Sequence, residues 1–388
     1  MSSTLRVLSL LPGITPDAGA EQSMSMLLPI IRRHGVEVHL GLLTERQDLA
    51  PALQRAGVVV HDLSASRSTI TRANALLRLL RTVQFDLVHA TLFEAAVPAQ
   101  LAAVRSRTPV LVTWANTSYT RSAFAEMGAS AWRLRVVQIE EVLLARIART
   151  RFHAVTPGVA TVNGANLRVR DGLVAVGERG REPALLDICQ TTVDRLRSEL
   201  VPAGSRLVLA VGRQEPQKGY ASLLAAFDEV ASRYADVRLV VAGREGSDTP
   251  RLTAKLATLR HGDRVRFLGH RDDIPALLRA ADVVACASLR EGAAGALIEA
   301  MGCGTPIVTV RLDGLDGVIV DGHNGIVVER RDLVAGLSRA LDDDDLRRSL
   351  ADAGRDVFAA RFTLDRSAQR LAEIYSWAAG RNAVTRPG

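Results

Sequence analysis

Short, unbroken apolar runs alternate with longer amphipathic stretches along the chain, and the alternation is played through twice. In the first half the runs Leu5–Leu11, Glu37–Leu43, Val58–Asp62, Leu87–Ala90, Val110–Trp114, Phe152–Val155 and Leu173–Val176 have the length of strands. Stretches with helical spacing separate them, among them Glu21–His34, Ser68–Val83, Glu94–Arg105 and Ala131–Ala148. Strands apolar on both faces and spaced by helices predict a parallel sheet covered on both sides. The pattern then restarts with Arg206–Gly212, Val237–Gly243, Val265–Gly269, Val283–Ala287, Pro306–Val310 and Ile326–Glu329. Helices are expected near Gly219–Tyr234, Pro250–His261, Asp273–Ala280 and Gly292–Met301. The polar stretch 191–205, ending Pro202-Ala203-Gly204-Ser205, reads as a linker. The chain is therefore expected to hold two doubly wound α/β domains, at 1–190 and 206–360, with a cleft between them. One more helix, 364–379, carries Leu371, Ile374, Tyr375 and Ala378 on one face, and periodicity does not name its partner.

Composition bears this out: 388 residues, 47% of them hydrophobic, can fill two cores at about 100–200 residues per domain. No apolar run approaches the roughly 20 residues that cross a bilayer. Leu5–Leu11 is followed by Pro12-Gly13 without a small-residue cleavage site, so no signal peptide is expected. Cys189, Cys286 and Cys303 show no CxxC spacing, which disfavours a disulfide framework or zinc site and fits a cytoplasmic protein. The net charge of +7 is uneven: residues 1–190 hold 21 basic and 15 acidic groups. That excess hints at an anionic partner of the first half.

The common nucleotide and hydrolase fingerprints are missing. Pro12-Gly13-Ile14-Thr15-Pro16 follows the first strand where a dinucleotide site would have GxGxxG, and neither GxxxxGK[ST], HExxH nor GxSxG occurs. Asp342–Asp345 reads as a solvated cap of the following helix rather than a metal cluster. Candidate chemistry lies in the second half. Its first strand ends Val211-Gly212-Arg213, and Lys218-Gly219 opens a helix five residues later. Two cations beside helix N–H groups, beyond a strand's carboxyl end, suit a diphosphate; an ordinary charged loop is the alternative. Glu291 and Glu299 stand eight residues apart, about 12 Å along a helix. That is too far to flank one glycosidic bond, where carboxyls sit about 5–9.5 Å apart. It is enough to span a nucleotide sugar, with Glu291 on sugar hydroxyls, Glu299 on the ribose and the amides of Gly295-Ala296 at the diphosphate.

Arg213 with Lys218, and Glu291 with Glu299, resemble the R-x4-K and E-x7-E signatures of family-4 glycosyltransferases. Phe267-Leu268-Gly269-His270, Gly302–Val308 and Asp321-Gly322-His323-Asn324-Gly325 are similar to further motifs of that family, in the same order. The likeness is good over Arg206–Trp377 and looser before it. It implies a GT-B fold, in which two Rossmann-like domains face each other across a cleft and the C-terminal helix crosses back to the first. It also implies transfer of a sugar from a nucleoside-diphosphate sugar, UDP expected ahead of GDP, to an acceptor hydroxyl, with retention and with neither metal nor cofactor. In the first half Ala18-Gly19-Ala20-Glu21 resembles a glycine-rich donor loop, a capped loop being the alternative. Asp86-Leu87-Val88-His89 resembles the family's DxVH, with His89 either at the sugar or buried.

Two departures stand out. Ala115-Asn116 occupies a place where a histidine is usual, leaving Asn116 as the polar contact, and Ala293-Ala294 replaces larger or glycine residues beside the sugar. Arg179-Gly180-Arg181 reads as facing the cleft or as a solvated basic turn. The acceptor stays open among saccharide, natural-product and lipid-linked hydroxyls; nucleic acid is not expected. Arg67, Arg72, Arg78 and Arg81, with leucines between them, form either a peripheral membrane contact of the first domain or an ordinary sheet-covering helix. A catalytically inactive subunit and a sugar-nucleotide epimerase are the rival readings.

Overall fold

The computed structural model describes residues 4–16, 19–120, 124 and 130–381. The chain divides into two compact units: residues up to Gly180 with those from Leu364 on, and Arg181–Thr363. The first is built on seven strands, β1 (Leu5–Leu11), β2 (Val36–Leu42), β3 (Val59–Asp62), β4 (Leu87–Thr91), β5 (Val110–Trp114), β6 (Arg151–Ala154) and β7 (Val174–Val176). They lie in the order β3-β2-β1-β4-β5-β6-β7, every neighbouring pair parallel. Val7, Leu8, Leu10 and Leu11 are fully buried in consecutive stretches of β1, which requires helices on both faces.

The second unit repeats the plan with β8 (Arg206–Val211), β9 (Val237–Ala242), β10 (Val265–Gly269), β11 (Val283–Cys286), β12 (Ile307–Val310) and β13 (Ile326–Val328). Their order is β10-β9-β8-β11-β12-β13, again all parallel. Each sheet reverses its winding once, at β1/β4 and at β8/β11. Ligands of open α/β sheets settle beyond the carboxyl ends of the strands at such a reversal.

The C-terminal helix Leu364–Ala378 belongs to the first unit, where Leu371, Ile374 and Tyr375 are buried and it packs on the helix Gly19–Ile31. Periodicity showed the apolar face; the sheet supplies its partner.

Two local expectations change. The stretch expected as a linker contains the helix Gln190–Leu200, which buries Val193 and Leu196 in the core of the second unit. Helical spacing of those two apolar residues outweighs the polarity around them. The helix expected at Gly292–Met301 runs instead over Gly295–Cys303, because Ala294 takes a left-handed conformation with φ +42° and blocks an earlier start. Glu291 therefore precedes the helix, and the rise of eight helical residues does not separate it from Glu299. Asp343 caps the helix Asp344–Val357, its Oδ1 accepting from Leu346 N at 2.8 Å.

Candidate functional site

At the β8/β11 reversal two loops are stitched together residue by residue. Leu289 N donates to Gln217 O at 2.7 Å, and Gln217 Nε2 donates to Arg290 O at 2.9 Å. Lys218 Nζ donates to Glu291 Oε1 at 2.7 Å, and Ser288 Oγ donates to the same oxygen at 2.7 Å. From below, Arg330 donates to Ala287 O and Ser288 O at 2.6 and 2.8 Å. Glu291 is only 8% exposed, so a cation and a hydroxyl on one carboxylate oxygen are what make its burial tolerable. Gly219 must be glycine: its φ is +64°, and a Cβ there would overlap the Ala287 carbonyl oxygen.

Lys218, Ser288, Glu291, Ala294, Gly295 and Ala296 line one pocket. The helix Gly295–Cys303 opens onto it. Its hydrogen-bond ladder begins at Leu297 N, which donates to Ala294 O at 2.8 Å, so the amides of Gly295 and Ala296 precede the ladder. A cation, two such amides and the positive end of a helix dipole form an anion site, and the carboxylate beside them is an acceptor for hydroxyls.

Glu299 lies a turn further along that helix and is paired: Arg181 Nε donates to its Oε1 at 2.6 Å, with both side chains largely buried. The Arg181 guanidinium also lies directly against Gly295. Arg213, expected beside Lys218, extends from the end of β8 with its side chain 63% exposed and Glu215 3.8 Å away. Gly269 and His270 are at the end of β10, the sheet's edge strand, and His270 pairs with Asp272 at 3.1 Å. The structure thus groups Lys218, Glu291, Gly295 and Ala296, sets Glu299 next to them, and leaves Gly269 and His270 outside the pocket.

In the first unit His89 is fully buried, and both ring nitrogens are engaged, Nδ1 with Tyr375 Oη at 2.7 Å and Nε2 with Thr113 Oγ1 at 2.5 Å. Thr113 Oγ1 also meets His153 Nδ1 at 2.9 Å, and His153 Nε2 meets Gly177 O at 2.7 Å. A carbonyl only accepts, so His153 carries its proton on Nε2 and accepts at Nδ1 from the threonine hydroxyl. That hydroxyl then accepts from His89 Nε2, and Tyr375 donates to His89 Nδ1. Burial holds both imidazoles neutral, pulling His153 down from 6.5 to about 4 and His89 well below its ordinary value. The expectation that His89 acts on the sugar is corrected on this ground: it has no nitrogen left for a substrate.

Asn116 follows β5, its side-chain oxygen accepting from Thr117 N at 2.8 Å. Gly19 starts its helix with open space where a Cβ would stand, so sterics within the fold do not require glycine there. Glu21 ties the loop before it, accepting from Thr15 N at 2.8 Å and Thr15 Oγ1 at 3.0 Å, while Ala18 lies outside the described residues. In the helix Thr69–Thr82 the residues Leu76, Leu77 and Leu80 are buried while Arg78 and Arg81, and Arg67 just before the helix, are exposed. That helix has no leucine face to offer a membrane.

Sequence reasoning missed Ser288, Gln217 and Arg330, whose side chains tie the two loops together and carry no motif. It noticed Arg181 but could not pair it with Glu299 across 118 residues.

The chain thus holds two doubly wound sheets, the second with a cation, a buried carboxylate and a helix N-terminus at its reversal. The Glycosyl transferase 4-like domain matches residues 18–176, and Glycosyl transferases group 1 matches residues 194–357. A D-inositol 3-phosphate glycosyltransferase of Xylanimonas cellulosilytica is 32% identical over 312 residues, 76% of this chain and 73% of that protein. One from Salinispora tropica is 35% identical over 49% of this chain and 44% of its own length. The matched region thus spans about half the length of several of these relatives. The crystal structure of Anabaena HepE in complex with UDP-glucose superposes with a TM-score of 0.81 at 21% identity, covering 96% of this chain and 100% of that one, a likeness of fold. The chain belongs to the group 1, family-4-like glycosyltransferases and has their GT-B fold.

Proposed function

We propose that the protein transfers a sugar from UDP-sugar to an acceptor hydroxyl, with retention of anomeric configuration and without an essential metal ion. The observation that carries the reading is the Lys218–Glu291–Ser288 cluster facing the free amides of Gly295 and Ala296 at the β8/β11 reversal. Departure of UDP builds negative charge on the β-phosphate. Lys218 and the two amides are fixed around the place where that charge develops, and Arg213 is near enough in sequence to swing onto it. Glu291 takes sugar hydroxyls, and Glu299 takes the ribose once Arg181 yields it. The first unit, in which Asn116 is the polar candidate after β5, binds the acceptor. UDP-glucose in the HepE complex supports the uridine donor, and the likeness to D-inositol 3-phosphate glycosyltransferases supports a hydroxylated acceptor.

The reaction is assisted by the leaving phosphate, so product and donor share one anomeric configuration. An NMR determination of the product anomer tests this, and inversion overturns it. Thermal unfolding against UDP, GDP, ADP, CDP and dTDP, with and without EDTA, tests the donor. A ligand at 100 times its dissociation constant adds about 2.7 kcal/mol. UDP alone is expected to stabilise the protein, equally with EDTA.

A further inference from the structure

The positive excess of the first half is concentrated in one place. From Arg105 to Arg170 the sequence has ten arginines against Glu126, Glu140 and Glu141. In the first unit Arg107, Arg146, Arg149, Arg151, Arg168 and Arg170 line a cavity of about 1160 Å³, with the buried Glu141 also in its lining. It lies where the chain enters β5, β6 and β7, at the end of the sheet away from their carboxyl ends. All but the half-buried Arg151 are exposed, and among the described residues none of the six is within ion-pairing distance of a carboxylate.

Three of them are held at a cost. Arg107 and Arg168 end the helices Phe93–Ser106 and Pro157–Leu167, and Arg149 follows the helix Ala131–Ile147. Each has a left-handed backbone, with φ of +61°, +51° and +51°, a conformation that glycine or asparagine takes more readily. Cations suit helix C-termini, which accounts for some positive charge here. It does not account for three strained arginines around one cavity. Local strain kept where a relaxed residue would serve points to a use for the side chain.

Beside the cavity is an apolar face without a partner among the described residues. The helix Ala131–Ile147 turns Leu134, Glu141 and Ala145 inward, yet Trp132, Val136, Ile139, Leu143 and Ile147 are 51–64% exposed. Their spacing of three and four residues places them in one stripe along the outer side. Ile147 ends the stripe and lines the cavity, and exposed Val104 lines it too, so stripe and arginines are one continuous surface. Arg133 lies 5.6 Å over the Trp132 ring, an amphipathic pair of the sort that settles at a bilayer interface. Isolated exposed apolar residues are ordinary, but a five-residue stripe is not.

We propose that this face docks on a bilayer carrying anionic phospholipid, with the stripe in the headgroup boundary and the arginines on phosphodiester oxygens. Charge decides between this occupant and a second copy of the chain. A two-fold contact through the stripe would bring the arginine cavity close to its own copy, and exposed Glu140 and Asp171 are too few to neutralise it. A surface of phosphodiesters matches both halves of the patch at once. The carboxyl ends of the strands stay clear of the lipid in this arrangement, and the proposal stands independently of the donor assignment.

Flotation of the full chain with vesicles of phosphatidylglycerol and phosphatidylcholine, and with phosphatidylcholine alone, tests it. Binding is expected only to the anionic vesicles and is expected to fade with added salt. The triple variant Arg107→Gly, Arg149→Gly, Arg168→Gly should partition about a hundredfold more weakly. Because glycine relaxes all three left-handed residues, its melting temperature should hold or rise, so lost lipid binding cannot be put down to unfolding. Ile139→Ser with Leu143→Ser should lose flotation with every arginine in place. Absence of flotation, or flotation that neither variant alters, overturns the proposal. So does a dimer that the Ile139→Ser, Leu143→Ser variant dissociates in light scattering, or a melting shift with inorganic phosphate that the arginine variant abolishes while flotation persists.

Discussion

Arg181 and Glu299 form a hydrogen-bonded ion pair of 2.6 Å, and the same guanidinium covers Gly295 at the mouth of the proposed diphosphate site. The carboxylate intended for the ribose is therefore occupied before the donor arrives, by a cation that a diphosphate would attract. In the proposed donor complex one partner is traded for another on both sides: ribose hydroxyls replace the arginine on Glu299, and phosphate oxygens replace Glu299 on the arginine. A hydrogen bond to a charged group contributes about 1.5–3 kcal/mol, so Arg181→Ala should weaken UDP binding at least about tenfold in calorimetry. A tighter UDP complex in that variant would mean that the arginine merely competes with the ribose. Glu299→Ala should raise donor KM with little change in kcat, because its contacts serve ground and transition states alike.

The role proposed for Lys218 is different, since the charge it would face grows as the bond to the leaving group breaks. Removing one such preorganised donor costs about 2.7–4 kcal/mol of transition-state stabilisation, so Lys218→Ala should cut kcat about a hundredfold or more. It also leaves Glu291, 8% exposed, with Ser288 as its remaining hydrogen-bond donor. Some lost stability will accompany the lost activity, and Lys218→Met with Glu291→Gln separates the two by removing both charges together. Steady-state turnover in that double variant, compared with its melting temperature, checks the assignment. Near-normal turnover in Lys218→Ala would sink it.

How much of this was legible beforehand follows from the range of each signal. Strand periodicity is local, and β1, β5 and β10 lie where the apolar runs placed them. Motif spacing marked Lys218, Glu291 and Glu299 because each motif is a short run of sequence, although Lys218 meets Glu291 across 73 residues and Glu299 meets Arg181 across 118. The choice for His89 between the sugar and the interior was not legible: its partners Thr113 and Tyr375 are 24 and 286 residues away, and only the folded sheet shows that they consume both nitrogens. The outward stripe of Ala131–Ile147 was equally hidden. Periodicity shows that a helix has apolar positions, and burial of Leu134 and Glu141 is what shows that Val136 and Ile139 point away from the sheet.

The tight approach at Gly219 makes a simple stability test. An added Cβ would overlap the Ala287 carbonyl oxygen, which is backbone and cannot rotate away, and φ of +64° strains any other residue. Gly219→Ala should cost about 1–3 kcal/mol from the backbone conformation alone, with more from the overlap. Because Arg330 holds the same carbonyl at 2.6 Å, the strain passes into the Ser288–Glu291 loop. Denaturant unfolding together with UDP affinity should both suffer. A variant with unchanged affinity would show that the loop stitching does not shape the pocket.

Stability against pH should reveal two buried groups that work in opposite directions. His153, held at about 4 against an ordinary 6.5, stays neutral in the folded chain while the unfolded chain takes up a proton. Its contribution is therefore present above pH 6.5, declines as pH falls, and is gone by about pH 4; the shift amounts to about 3 kcal/mol. Glu141 is buried without a hydrogen-bond partner among the described residues, and burial raises it from 4.5 to about 7. Here the folded chain binds the extra proton, so stability is greatest below pH 4.5 and is lost as pH rises through 7. His89, also held neutral by burial, works in the same direction as His153, so in the natural protein the Glu141 slope offsets only part of the histidine slope. Glu141→Gln removes one of them: it should exceed the parent by a few kcal/mol near about pH 8, converge with it near about pH 4.5, and lose stability steadily between about pH 6.5 and 5. Guanidinium unfolding of both proteins across that range is the measurement. Equal stability near about pH 8 would show that burial does not hold the Glu141 carboxyl protonated in the folded protein.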